Sequence, residues 1–204
     1  RYIMGLQLQV KTFKPAAAST TSVAAAQTLG GAGNMSLATA AGTGAYAGTN
    51  VGSTISLTST GNISARTFTV TGTDASGSTI TEDITGPNNT TVTGSVFFST
   101  VTQIAVDGAV GTNTSAGNGA DTVGAIFTGA TRVKGAQITT GGTVADISFK
   151  ESSQTGTTKF FYTVATTTKD YIEPYIPDDG ILFREGAFID LPSGSVVSAT
   201  VYYG

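Results

Sequence analysis

Three side chains are missing from this 204-residue chain: it has no cysteine, no histidine and no tryptophan. Without histidine there is no imidazole to act as a general base near neutral pH, and no Ser-His-Asp triad. Without cysteine there is no thiolate nucleophile, disulfide framework, Cys/His zinc site or iron–sulfur cluster, so apolar burial has to hold the fold. Charge is scarce as well. Only 11% of residues are charged, ten basic against thirteen acidic, for a formal net charge of -3. That balance gives no electrostatic footprint for a nucleic acid. No apolar run reaches the length of a membrane span and no signal-peptide core stands at the start, so neither nucleic acid nor membrane is expected as a partner.

What the chain has instead is threonine, roughly one residue in five, far above ordinary usage, together with 27 glycines. Threonine is β-branched and suits a pleated, half-wet surface, while glycine serves turns and bulges. An all-β chain follows. The low charge is unusual for a solitary soluble domain. Either the hydroxyls keep it soluble, or partners cover much of its surface.

Alternation locates the strands. Leu6, Leu8 and Val10 alternate with Gln7, Gln9 and Lys11, which predicts a strand or extended arm within Arg1–Lys14. From Pro15 to about Asn50 the residues are mostly Ala, Ser, Thr and Gly. This reads as a linker with at most one short strand near Asn34–Thr39, ordered only by lying against something else. Strands are then predicted at Thr54–Thr58, Arg66–Thr73, Ser78–Thr85, Val96–Val106 and Asp121–Thr128, with Gly108–Gly119 as a loop. Further strands are predicted at Arg132–Thr139, Val144–Lys150, Lys159–Ala165, Gly180–Glu185, Ala187–Leu191 and Val196–Tyr203. Short strands with a turn signal every ten residues or so are the sandwich or barrel pattern.

Composition shifts near residue 130. Most of the charges, and ten of the seventeen aromatics, lie beyond it. The expected organisation is an N-terminal arm and linker over residues 1–50, then two β-sandwich-like modules (jelly-roll or immunoglobulin-like) over 51–130 and 131–204. A module as small as the second is marginal without a neighbour or a second copy.

Candidate chemistry is sparse. Asp74-Ala75-Ser76-Gly77-Ser78 opens like a calcium loop, but calcium needs about six to eight oxygens and Glu82 sits well inside the return strand. A turn capped by Asp74, with Gly77 at positive φ, is the stronger reading. Glu82-Asp83, Asp178-Asp179 and Glu173 suggest a glycosidase pair, yet neighbours on a strand point to opposite faces. The Gly-rich runs lack the Lys-Ser/Thr of a phosphate loop. No catalytic, cofactor-binding or metal-ligating residue is nominated. The aromatics Phe160, Phe161, Tyr162, Tyr171, Tyr175, Phe183 and Phe188 fit core, a subunit interface or a sugar platform. Phe160 and Tyr162 share one face and Phe161 the other, so one set must meet solvent or a partner. The nominated partner contacts are Leu6, Leu8 and Val10 in the arm, with Phe160, Phe161, Tyr171 and Tyr175.

The runs Ala25-Ala26-Gln27-Thr28-Leu29-Gly30-Gly31-Ala32-Gly33-Asn34 and Ile55-Ser56-Leu57-Thr58-Ser59-Thr60-Gly61-Asn62-Ile63-Ser64 carry a resemblance. Phe68-Thr69-Val70-Thr71-Gly72-Thr73-Asp74, Glu82, Thr85-Gly86-Pro87 and Phe98-Ser99-Thr100-Val101 continue it. This order resembles β-rich accessory proteins of tailed-bacteriophage virions. Pro177–Leu191, with the ending Thr200-Val201-Tyr202-Tyr203, is similar to another small virion module, a hairpin followed by a terminal strand. The two cover roughly residues 25–127 and 132–204; the first fourteen residues lie outside both. The resemblance implies capsid-decoration, head–tail or fibre-associated components without catalytic residues. The expected function is therefore a non-enzymatic virion protein that decorates or cements the capsid, or a head–tail component, through strand addition and module contacts. Its partners would be the major capsid protein or other virion proteins and copies of itself, a trimer by analogy. The alternative is a tail-fibre-associated or surface protein that binds a host glycan or receptor. Removal of residues 1–14 should then leave both modules folded.

Overall fold

The computed structural model describes residues 7–15, 17–38, 51–164, 170–192 and 195–204. It is all-β, and among the described residues there is no helix. In chain order the strands are β1 (Gln9–Phe13), β2 (Ser19–Leu29), β3 (Gly33–Asn34), β4 (Gly52–Ser59), β5 (Thr67–Thr73), β6 (Thr79–Thr85), β7 (Thr91–Thr93) and β8 (Thr100–Val106). They continue as β9 (Val110–Phe127), β10 (Thr131–Thr140), β11 (Ala145–Glu151), β12 (Thr158–Val164), β13 (Tyr171–Ile172), β14 (Ile181–Phe183), β15 (Ala187–Pro192) and β16 (Val196–Tyr203). Two compact units divide the chain between Thr122 and Val123, earlier than the composition shift suggests. Of the described residues, 17–38 and 52–122 form a central unit; 7–15, Val51 and 123–204 form a C-terminal unit.

In the central unit β5 is the model of a half-buried strand: Phe68 and Val70 are fully buried, and Thr67, Thr69, Thr71 and Thr73 face outward. It pairs with β6 through the turn at Asp74–Ser78 and with β8 on its other side, while β3 caps the sheet beyond β8. The turn is built as its residues predict. Asp74 Oδ1 accepts the amides of Ser76 and Ser78, each at 2.9 Å, and Gly77 has φ 87°. Ile55 and Leu57 of β4 join Phe68, Val70, Phe98 and Ile104 in one buried cluster.

The segment read as a linker is different in the structure. Ser19–Leu29 is an eleven-residue strand on β9, and Val23 and Ala24 are fully buried. Its partner β9 runs eighteen residues through the stretch read as a loop. Small side chains cause both differences: they give no apolar alternation, yet they let backbones approach closely. A β-carbon at Gly117 would overlap the Ser19 carbonyl.

In the C-terminal unit one sheet runs β1-β16-β10-β13, with β14 also on β10. The other holds β12-β11-β15, with β9 beside β15. Their inner side chains form one cluster: Phe13, Val133, Ile138, Ala199 and Val201 from the first meet Ile147, Phe149, Ile189 and Leu191 from the second. Two sheets around a shared apolar layer make a sandwich-like arrangement. The expectation of an arm does not hold for the described part of residues 1–14. Gln9–Phe13 pairs residue by residue with Tyr203–Ala199, and the Phe13 ring is fully buried. Lys11 points the same way, donating from Nζ to the Ala125 carbonyl at 2.7 Å, and burial lowers its pKa.

Candidate functional site

The outer face of the five-stranded sheet is the candidate site, and it follows from register. Directly opposed residues in an antiparallel pair share a face. Val10 opposes Tyr202, which opposes Gly135; Thr12 opposes Thr200, which opposes Gln137. Ser198 opposes Thr139, which opposes Tyr171. The alternate residues Ala136, Ile138, Ala199 and Val201 face the core. Three rows of side chains therefore cross the sheet on the side away from the core.

Hydrogen bonds fix these rows. Thr12 and Thr200 hydroxyls lie 3.0 Å apart. Tyr202 donates its hydroxyl to Gln137 Oε1 at 2.9 Å, and Gln137 Nε2 donates to Glu173 Oε1 at 3.0 Å. Tyr171 donates its hydroxyl to the same Glu173 oxygen at 2.6 Å. The Tyr171 bond, helped by Gln137, holds the Glu173 carboxyl below the ordinary carboxylate range. In return the hydrogen bond to the carboxylate pushes the Tyr171 phenol up to about 12, since ionisation would forfeit the donated proton, and the two negative charges then facing each other add to the shift. Residues 171–177 alternate: Tyr171, Glu173 and Tyr175 are exposed, whereas Pro174 and Ile176 are buried. The buried pair anchors the segment, leaving Tyr175 83% exposed.

Of the seven nominated contacts, register places Val10 and Tyr171 on this face, and Leu8, Val10, Tyr171 and Tyr175 are all more than half exposed. Phe183 and Phe188, of the wider aromatic set, are buried. Leu6 lies outside the described residues. Phe160 is corrected: it packs against the core, its ring 5.6 Å from that of Phe149. Phe161, 59% exposed, stands on β12 opposite Ser148, on the other sheet of the sandwich. The structure therefore separates it from the rest. Sequence reasoning missed Gln137, Tyr202 and Glu173 as one network, because they come from three segments that only strand pairing brings together.

Of the carboxylates considered for catalysis, Glu82 and Asp83 have local partners. Glu82 Oε1 accepts the Ser95 amide at 2.6 Å and the Val96 amide at 3.3 Å, and Asp83 accepts the Thr69 hydroxyl at 2.6 Å. Among the described residues no group of three or more His, Cys, Asp or Glu side chains is placed to hold a metal ion. The central unit has an open groove of about 530 Å³ lined by Ser19, Thr20, Ser56, Thr91, Thr93 and Asn118, all neutral. No described helix is long and apolar enough to cross a membrane.

Comparison with protein-family models, with curated proteins and with solved structures returns no match to this chain.

Proposed function

We propose that this chain is a non-enzymatic structural component of a tailed-bacteriophage particle, homo-oligomeric and docked on the major capsid protein or another virion protein. The observation that carries the reading is the outer face of the C-terminal unit. Its rows are fixed by hydrogen bonds, and its exposed side chains include the apolar Val10 and the aromatic Tyr171. A preordered face of hydroxyl and amide groups that also exposes large apolar and aromatic side chains suits a contact surface. Many copies on a lattice give avidity, so each contact can be weak. The resemblance in the residues quoted above supports the same reading, and a jelly-roll or immunoglobulin-like identity of the modules belongs to it. Docking here uses side chains of the face rather than strand addition by an arm, because residues 9–13 already occupy a place on β16.

Particles assembled with the Val10→Asp chain are expected to carry fewer copies by quantitative mass spectrometry, while the isolated variant melts like the parent. An unchanged copy number would overturn the proposal. A second reading, a tail-fibre-associated or surface glycan-binding protein, is favoured by Tyr171 and Tyr175 projecting from one side of a fixed segment. Glycan-array binding that disappears in Tyr171→Ala or Tyr175→Ala would move the assignment there.

A further inference from the structure

We propose that the row Tyr171, Glu173, Tyr175 is a receptor for an arginine side chain presented by a partner polypeptide; this rests on the outer face being the docking surface. Successive residues on one side of an extended segment stand about 7 Å apart. The Glu173 carboxylate sits at the Tyr171 hydroxyl, 2.6 Å away, and the exposed Tyr175 is the next outward residue of the segment, so phenol rings flank the carboxylate in sequence on both sides.

The carboxylate is preorganised. Tyr171 at 2.6 Å and Gln137 at 3.0 Å both bind Glu173 Oε1, and Tyr202 holds Gln137 in turn. Glu173 Oε2 accepts no hydrogen bond from a described residue, and Glu173 is exposed. Its rotamer is thus largely ordered before any ligand arrives, which lowers the entropy lost on binding. The same bonds favour its charged form.

Charge selects the occupant. The described ion pairs join Lys150 to Asp190 and Lys159 to Glu151, and Glu173 is in neither. Asp170, whose carboxylate accepts the Tyr171 amide at 2.7 Å, adds a second negative charge at the same end. The cations of β10 are turned elsewhere: Arg132 Nη1 donates to the carbonyls of Asp179 and Gly180, and the Lys134 stem lies against Gly180. An ionised, immobilised acceptor without its own cation discriminates for a cationic donor over a neutral hydroxyl, since charge-assisted hydrogen bonds are about twice as strong. Guanidinium fits better than ammonium here, because it stacks on tyrosine faces while its N–H groups reach a carboxylate in the same plane. Tyrosine with arginine is also the pairing that recurs at the energetic centres of interfaces.

The test uses the full chain labelled with 15N. An acetyl-Thr-Arg-Thr-amide peptide is expected to shift the amides of Tyr171, Glu173 and Tyr175. Replacing its arginine by the isosteric neutral citrulline, or Glu173 by Gln in the protein, should weaken binding about threefold or more, with the variant still folded by its amide spectrum. Equal binding of the citrulline peptide overturns the inference, as do shifts produced by a neutral oligosaccharide and not by the peptide. The particle assay separates the two levels. If Glu173→Gln incorporates normally while Val10→Asp does not, the docking face stands and the arginine receptor falls. If both incorporate normally, the docking reading itself has failed.

Discussion

Phe13→Ala is the perturbation that most sharply distinguishes a built-in strand from an arm. Phe13 is fully buried, opposes Ala199, and belongs to the cluster containing Val133, Val201 and Ile189. An aromatic side chain buries about 150–250 Å², which at about 25 cal/mol per Å² is roughly 4–6 kcal/mol. Alanine keeps about 1 kcal/mol of that, so the loss is about 3–5 kcal/mol, the range for aromatic truncation in a packed core. For a unit of this size each kcal/mol lowers the midpoint by about 4–8 °C. Phe13→Ala should therefore melt the C-terminal unit tens of degrees early or leave it unfolded at 25 °C.

Native-state amide exchange resolves the effect by unit. Protection should fall in β10 and β16, while β5 and β8, whose cluster contains no residue of β1, keep theirs. Phe13→Leu, which preserves most of the volume, should cost only about 1 kcal/mol and allow measurement if the alanine variant does not fold. Deleting residues 1–14 should resemble Phe13→Ala, contrary to what an arm predicts. Unchanged protection of β16 in the deletion and in Phe13→Ala would refute the reasoning.

Two further outcomes follow from the geometry. Gly72→Ala places a β-carbon into the Thr100 carbonyl, at the bulge where β5 meets β8, and should cost about 1–3 kcal/mol, read as an earlier melt of the central unit alone. In Glu173→Gln, the Tyr171 phenol should titrate lower, from about 12 back toward its ordinary 10, measured by ultraviolet difference against a variant that also carries Tyr171→Phe. The sign is fixed: the native phenol pKa lies above its unfolded value, so this bond supports the fold below pH 10 and the support is lost as pH rises through about 12. For Glu173, whose native pKa is depressed, support is lost as pH falls through that native value.

Where side chains alternate in size and polarity, the strands were legible. β5 and β6 were readable from Phe68, Val70 and their threonine neighbours, and β15 and β16 from Ile189, Leu191, Val201 and Tyr203. β2 and most of β9 were not, because alanine, glycine, serine and asparagine carry little strand preference of their own. Their pairing comes from close backbone approach, a tertiary cause that local pattern does not contain. The short β7 and β13 were missed for a related reason: two or three residues are too few to show a period.

β1 shows why the site was only half legible. A period of two defines two faces but does not say which is inner. Leu8 and Val10 form the more apolar face, so burial on a neighbour was the natural inference. The chain instead buries the face of Lys11 and Phe13 and leaves Leu8 and Val10 at 55% and 56% exposure. Register explains the choice: Phe13 opposes Ala199 and Lys11 opposes Val201, both fully buried, so the phenyl ring fills the space beside a small residue. Reversing the strand would expose that ring and set Val10 against a layer sized for phenylalanine. An apolar edge left outward by such a constraint, on a sheet that also carries a carboxylate locked by Tyr171 and Gln137, is where this chain has surface to share.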